Sequence, residues 1–300
     1  MHPQKPARPV PGDTLGIIAP SSPFDKDKFQ KGLSFIKDLG FRVFFPETIF
    51  EQKKYLAGTD ELRAQSLNAM FADSDIKGVI CARGGYGSLR LLSLIDFNQI
   101  AENPKLLIGC SDITVLLNSL LTRCNLASLH GPMIESLANA SAPTKQAFSE
   151  ILLTDQNLSI PSADPKTIHP GRASGTLTGG NLTTLCHLVG TPFAPDFSDH
   201  LLLLEDIGES PYRIDRMLTH MKMAGCFEQI NGIVLGAFTG CGDPADIYQI
   251  FYDNFAKDSI PILAGFSIGH DEPNLSVPFG IRATLDTDSG LLSFSEPLFS

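Results

Sequence analysis

Ser111 stands where an apolar strand pattern gives way to a helix. Residues 106–121 read LLIGCSDITVLLNSLL, and Ile113, Leu116, Leu117, Leu120 and Leu121 follow the i, i+3, i+4, i+7, i+8 spacing of a helix face. A serine at such a junction has two uses. It can cap the helix, and Ser followed by Asp at a helix start is a common capping arrangement. It can also be lifted above a sheet edge as a nucleophile, beside helix N–H groups that favour negative charge. Gly109 supplies the small residue two positions earlier, but Ile113 stands where the G-x-S-x-G elbow has its second glycine. Local residues alone favour the cap.

A serine nucleophile needs a base, and the base needs an orienting acid. The chain has seven histidines. His2 is terminal, His169 and His200 fall in Pro/Asp/Ser-rich stretches expected to be exposed loops, and His187 and His220 fall in helical patterns without an acid cluster. His130, in SLHGPM, competes with His270. His270 has the better setting, after an apolar stretch, flanked by Gly269 and followed by a Pro/Asn-rich loop, although a solvated loop histidine would read the same way. For the acid, the apolar run 201–204 ends in Glu205-Asp206. Asp206 or Glu209 could instead cap the helix that Ser210-Pro211 opens as N-cap and N1. The carboxylates have no second cluster to complete a metal site.

Residues 82–88, ARGGYGS, form a glycine-rich link after the apolar GVICA run. The link lacks the Lys-Ser/Thr of a P-loop and the third glycine of a dinucleotide fingerprint. Its glycines fit a tight turn equally well as a loop bringing backbone N–H groups to a developing negative charge. In a parallel sheet this loop and the Ser111 junction would share the C-terminal strand edge, where ligands bind.

The elements that must position these groups alternate. Strands are predicted at 14–19, 41–45, 78–82 and 106–110, with helices at 26–39, 61–72, 89–95 and 113–121 between and after them. Such alternation argues for a parallel sheet covered on both faces. Residues 139–172 are rich in Ser, Pro, Thr and Asp and read as a linker holding one short helix. Beyond it come GTLTGGN, a helix from 182, a strand at 201–204, a helix from 211, a strand at 232–235, and a hairpin of 284–287 and 291–294 turning at Asp288-Ser289-Gly290. This organisation divides into an N-terminal α/β domain over 1–160 carrying the serine, a linker at 161–172, and a smaller α/β domain over 173–300.

Composition narrows the classes. A formal net charge of -10 argues against nucleic acid and anionic membrane as partners. None of the six cysteines forms a C-x-x-C pair or groups with histidines at zinc spacing, so buried free thiols in a reducing compartment are expected. The N-terminus has no apolar leader core, and no run reaches the ~18 apolar residues of a membrane span. A cytoplasmic protein without cofactor or metal is the expectation.

Six segments in this order, ARGGYGSLRLL (82–92), IGCSDIT (108–114), LHGPM (129–133), LTGGNLTTLCHLVGTP (177–192), LLLEDIGESPYRIDRML (202–218) and IGHDEPNLSVPFG (268–280), resemble the LD-carboxypeptidases, the serine peptidase family that includes the microcin C immunity peptidases. The resemblance implies an N-terminal parallel-sheet domain of flavodoxin-like or amidotransferase-like kind, a smaller C-terminal α/β domain, and an active site between them. It implies a triad of Ser111, Glu205 and His270, with oxyanion donors at the backbone N–H groups of Gly85 and Asp112. It implies release of the terminal D-Ala from murein tetrapeptides in the cytoplasm, by a homodimer. Cys110 departs from the aromatic residue usual before the serine. The absence of tryptophan and the chain length argue against the immunity type, whose members tend to be longer with an added aromatic-bearing loop. Arg83 and Arg213 are candidates to hold a substrate carboxylate or to make structural ion pairs.

Overall fold

The apolar runs at 14–18, 76–81 and 106–109 become strands largely buried on both faces, as expected of a parallel sheet with helices on either side, whereas 42–44 forms an exposed edge strand. The computed structural model describes residues 3–300, and His2 lies outside them. Residues 3–155, 275–278 and 298–300 form one compact unit, and residues 156–274 with 279–297 form a second.

In the first unit the strands are Thr14–Ile18 (β1), Arg42–Phe44 (β2), Ile76–Cys81 (β3), Leu106–Gly109 (β4) and Ser128–His130 (β5). They pair in parallel in the order β5-β4-β3-β1-β2. Helices Lys26–Asp38 (α1), Asp60–Ala72 (α2), Phe97–Glu102 (α3), Thr114–Cys124 (α4), Ile134–Leu137 (α5) and Ala142–Leu153 (α6) accompany them. Their starts follow capping chemistry: Asp25, Thr59, Asp96 and Ser141 each accept a backbone N–H of the first turn. The sheet's core comprises Leu15, Ile17, Val79, Ile80, Leu107 and Ile108, each at most 1 % exposed.

The helix expected at 89–95 is a single 3-10 turn, Ser88–Leu91, and the helix after it is α3. Asp96 caps α3 through the N–H of Gln99, so the chain starts its helix one residue after the apolar run rather than inside it.

The second unit is built on Ser159–Pro161 (β6), Lys166–His169 (β7), Arg172–Asn181 (β8), His200–Ile207 (β9), Gly232–Thr239 (β10) and Ile262–Ala264 (β11). The strand Val277–Phe279 (β12) completes the first sheet beside β5, and Arg282–Asp286 (β13) and Leu291–Phe294 (β14) return to the second. The second sheet runs β6-β14-β13-β8-β9-β10-β11-β7. Strands β8, β9, β10 and β11 are parallel, while β13, β14 and β6 on one side and β7 on the other pair antiparallel. The stretch expected as linker therefore supplies both edge strands, β6 and β7, whose polar composition suits an edge. Helices Leu182–Leu188 (α7), Pro211–Met223 (α8) and Pro244–Phe255 (α9) pack Leu185, Ile214, Leu218, Phe251 and Phe255 with Leu202, Leu204, Ile233 and Leu235 of the sheet. No helix among the described residues is long and apolar enough to cross a membrane.

Candidate active site

Strand β4 ends at Gly109, and after Cys110 a 3-10 turn, Ser111–Ile113, leads into α4. Ser111 takes φ 61, the left-handed region that costs an L-residue about 1–2 kcal/mol. The serine is not a helix cap. The backbone caps are Cys110 for the 3-10 turn and Ile113 for α4, and neither helix start has a side-chain cap. The cap expected from local sequence is thus corrected, because the extra turn moves the start of α4 past the serine. Close packing fixes the bend: a Cβ on Gly109 would lie 2.7 Å from Ile113 Cγ2, which is why that position holds glycine. The Ile113 that breaks the G-x-S-x-G pattern thus fills the space Gly109 leaves.

The glycine loop lies against the same serine. A Cβ on Gly84 would sit 3.0 Å from Ser111 Cβ and 3.2 Å from its Oγ. Gly85 has φ 104, a conformation that L side chains rarely adopt. The loop is tied down on both sides of Gly85. Ser22 donates its N–H to Gly84 O (3.2 Å) and accepts the Tyr86 N–H at Oγ (3.2 Å). Buried Arg63 donates to Gly87 O (3.0 Å) and to Pro20 O. Buried Asp112 accepts the Ser88 N–H (2.8 Å) and the Ser21 hydroxyl (2.5 Å) at one carboxylate oxygen. Sequence reasoning missed Arg63, Ser21 and Ser88. A buried arginine inside a helical pattern was the one signal available, and it could not be known as buried beforehand.

In the second unit, Glu205 and Asp206 end the buried run of β9 and, as consecutive strand residues, project to opposite faces. Asp206 is consumed structurally: it accepts from Asn181 Nδ2 (3.0 Å), Thr183 N (2.9 Å) and Thr183 Oγ1 (2.8 Å), tying down the start of α7 rather than of α8. Glu205, fully buried, meets His270: Nδ1 lies 2.7 Å from Oε2. With Glu205 ionised, Nδ1 carries the hydrogen and Nε2 is the basic nitrogen. Burial pushes the Glu205 carboxyl above its ordinary range, against the lowering pull of the His270 hydrogen bond. Burial alone would depress His270; the hydrogen bond and charge of Glu205 outweigh it and raise the imidazole above its usual 6.5. Gly269, at φ 131, makes the approach possible, since a Cβ there would lie 2.8 Å from Glu205 Oε2.

The other histidines are placed elsewhere. His130 is wholly buried in β5, level with Gly109. His169 and His200, expected in loops, lie half-buried in β7 and β9. His187 and His220 are on α7 and α8. Arg83 pairs with Glu135 (3.3 Å) and Arg213 with Glu209 (3.3 Å), so both make ion pairs on the surface. The six cysteines are free thiols, four of them buried. No metal-binding group of His, Cys, Asp and Glu occurs among the described residues.

Residues 15–131 match the LD-carboxypeptidase N-terminal domain, and residues 174–285 the LD-carboxypeptidase C-terminal domain. The chain belongs to the LD-carboxypeptidase family. A probable murein peptide carboxypeptidase of Bacillus subtilis is 38% identical over 285 residues, covering 92% of this chain and 89% of that one. The crystal structure of muramoyltetrapeptide carboxypeptidase from Oxalobacter formigenes superimposes with a TM-score of 0.83 at 32% identity, covering 94% of this chain and 97% of that one. A structure of MccF in complex with glutamyl sulfamoyl guanosine superimposes with a TM-score of 0.92 at 25% identity, covering 99% and 100%.

Proposed function

We propose that this LD-carboxypeptidase is a serine peptidase releasing the terminal D-Ala of murein tetrapeptides, with Ser111 as nucleophile, His270 as base and Glu205 as the acid that orients it. The carrying observation is the Glu205–His270 pair at 2.7 Å, buried on the glutamate side and beside a glycine whose Cβ would crowd Glu205 Oε2 at 2.8 Å. The left-handed Ser111 at a strand-to-helix bend supports the nucleophile reading, because backbone strain of this kind clusters at active sites.

In the reaction, Ser111 Oγ attacks the carbonyl before the terminal D-residue. Its proton passes to His270 Nε2 and then to the leaving amine, and Glu205 stabilises the imidazolium. The backbone N–H groups of Gly85 and Asp112 stabilise the oxyanion, each worth about 2.7–4 kcal/mol in the transition state. Water then resolves the acyl-enzyme by the same steps in reverse roles. No metal or cofactor takes part. A cytoplasmic homodimer completes the reading, and analytical ultracentrifugation tests its dimer half.

The test is release of D-Ala from a murein tetrapeptide by the wild type and by Ser111→Ala. Turnover retained in the variant refutes the serine assignment. The likeness to MccF favours one second reading, cleavage of a peptide–nucleotide conjugate. Competition between a murein tetrapeptide and an aminoacyl sulfamoyl nucleoside, read as the ratio of kcat/KM, separates the two. If the fold merely binds a ligand, a fluorophosphonate probe will label no serine.

A further inference from the structure

Asp112 carries two groups with separate destinations. Its backbone N–H follows the nucleophile, while its buried carboxylate reaches across to the glycine loop. There Oδ2 accepts from Ser88 N (2.8 Å) and Ser21 Oγ (2.5 Å), and the two serine hydroxyls meet at 2.9 Å. Ser21 and Ser88 have no solvent exposure. On the loop's other side the guanidinium of Arg63, 2 % exposed, holds Gly87 O and Pro20 O. Both anchors therefore tie the same two segments together, the chain leaving β1 and the end of the glycine loop. Between Ser22 and these anchors, the Gly84 carbonyl, Tyr86 N–H, Gly87 carbonyl and Ser88 N–H are all bonded. Among the described residues the Gly85 N–H donates to nothing.

We propose that the Asp112 carboxylate and Arg63 are positioning residues: they latch the glycine loop so that the Gly85 N–H is held at a fixed height over Ser111, coupling one oxyanion donor to the residue that supplies the other. The inference rests on the serine reading above and deepens it. A single side-chain oxygen suits this work, because one atom accepts both bonds and so holds the two segments at a fixed separation. An oxyanion donor displaced by a fraction of an ångström loses much of its effect, since its value lies in preorganisation.

The experiment compares Asp112→Ala, Asp112→Asn, Ser21→Ala and Arg63→Met with wild type. It reads kcat, KM, affinity for the tripeptide product, and affinity for a peptide boronic acid with boron at the scissile carbon. In that adduct the Ser111 oxygen bonds to boron, its proton goes to His270, and a boronate oxygen occupies the oxyanion position. Asp112→Ala should lower kcat and boronate affinity together by about 10- to 100-fold, with KM and product affinity within about 2-fold. Asp112→Asn, which can still accept both bonds, should recover to within about 5-fold of wild type. If Asp112→Ala does not fold, Ser21→Ala and Arg63→Met carry the test with the same signature. Wild-type kcat or unchanged boronate affinity in these variants overturns the latch. Ser111→Ala is measured alongside: turnover kept there overturns the serine reading and the latch with it, whereas a dead Ser111→Ala beside a fully active Asp112→Ala overturns the latch alone.

Discussion

His270 Nδ1 lies 2.7 Å from Oε2 of a Glu205 that no solvent reaches, and this hydrogen bond is the largest of the influences that raise the imidazole. Burial disfavours charge on the imidazole, but the glutamate's hydrogen bond and charge raise it above 6.5. In its proposed role as base, His270 is active only when neutral, so the acid limb of kcat/KM should lie above pH 6.5. Glu205→Gln removes the raising influence and should move the limb to lower pH while cutting the plateau by about 10⁴-fold, by analogy with an orienting acid made neutral. A pH–rate profile of both proteins measures this. A limb that does not move would detach Glu205 from the base.

The same shift has a consequence for folding. His270 keeps its proton to higher pH folded than unfolded, so the folded state binds more protons in that window. The stabilisation is fully present below the unfolded pKa near 6.5 and is lost as pH rises through the folded value. Urea midpoints should therefore fall with rising pH from that point in the wild type, and His270→Gln should flatten the slope. Denaturation followed by circular dichroism at several pH values is the measurement.

Strain at Ser111 gives a prediction that inverts a familiar ordering. Both Ser111→Ala and Ser111→Gly remove the hydroxyl and should abolish turnover. At φ 61, however, glycine escapes the left-handed penalty that alanine suffers. Ser111→Gly should be more stable than Ser111→Ala by about 1 kcal/mol, although glycine is ordinarily the worse residue next to a helix. Thermal melts of the pair decide it. Equal stabilities would mean that the serine does not hold the left-handed backbone.

Most of the strands in the first half were legible because each is a short apolar run bounded by turn residues, and β1, β3 and β4 lie where those runs do. The edge strands β6 and β7 were not, because polar edge strands carry no apolar period and look like linker. Locally, Ser111 read as a cap because the pattern from Ile113 onward is helical. The sequence could not show that one 3-10 turn intervenes and carries the chain through a positive φ. Local residues marked His270 and the Glu205-Asp206 pair as candidates, but only the resemblance to a family chose Glu205 over Asp206 and His270 over His130, since 65 residues separate them and their meeting depends on how β9 and the loop after β11 are placed. Arg63, Ser21 and Ser88 carry ordinary sequence contexts and become visible only once burial and hydrogen bonds are known.

Gly84 tests the contact between the loop and the nucleophile without touching either one's chemistry. A Cβ at this position would come within 3.0 Å of Ser111 Cβ, 3.2 Å of its Oγ and 3.4 Å of Met133 Cε, tight but short of a backbone collision. Gly84→Ala should cost about 1–3 kcal/mol while leaving the protein folded, since the Ser111 Cβ cannot rotate aside but the loop can give by a few tenths of an ångström. It should nonetheless lower kcat at least about 10-fold by turning the hydroxyl away from its line of attack. Single-turnover kinetics beside a melt would show the split. A loss of stability that accounts for the lost activity would argue against it.

Glu205 and Asp206 are neighbours with opposite assignments, and substitution should separate them. Asp206 accepts three hydrogen bonds from Asn181 and Thr183 at the start of α7, so Asp206→Ala leaves buried donors unsatisfied. Each such group costs about 1–3 kcal/mol, and the variant should melt markedly lower than wild type. Its folded fraction should still hydrolyse substrate, with an acid limb moved down less than in Glu205→Gln, because the Asp206 charge raises the imidazole less than Glu205 does and Asp206 does not bond to the ring. Glu205→Gln should do the reverse. Burial already pushes that carboxyl toward its neutral form, so a neutral amide of the same shape relieves a cost, and the melt should hold or rise while turnover collapses. Melting curves and kcat/KM for the two variants form a crossed comparison. If Asp206→Ala lost activity at full stability, or Glu205→Gln lost stability at full activity, the roles of the two carboxylates would have to be exchanged.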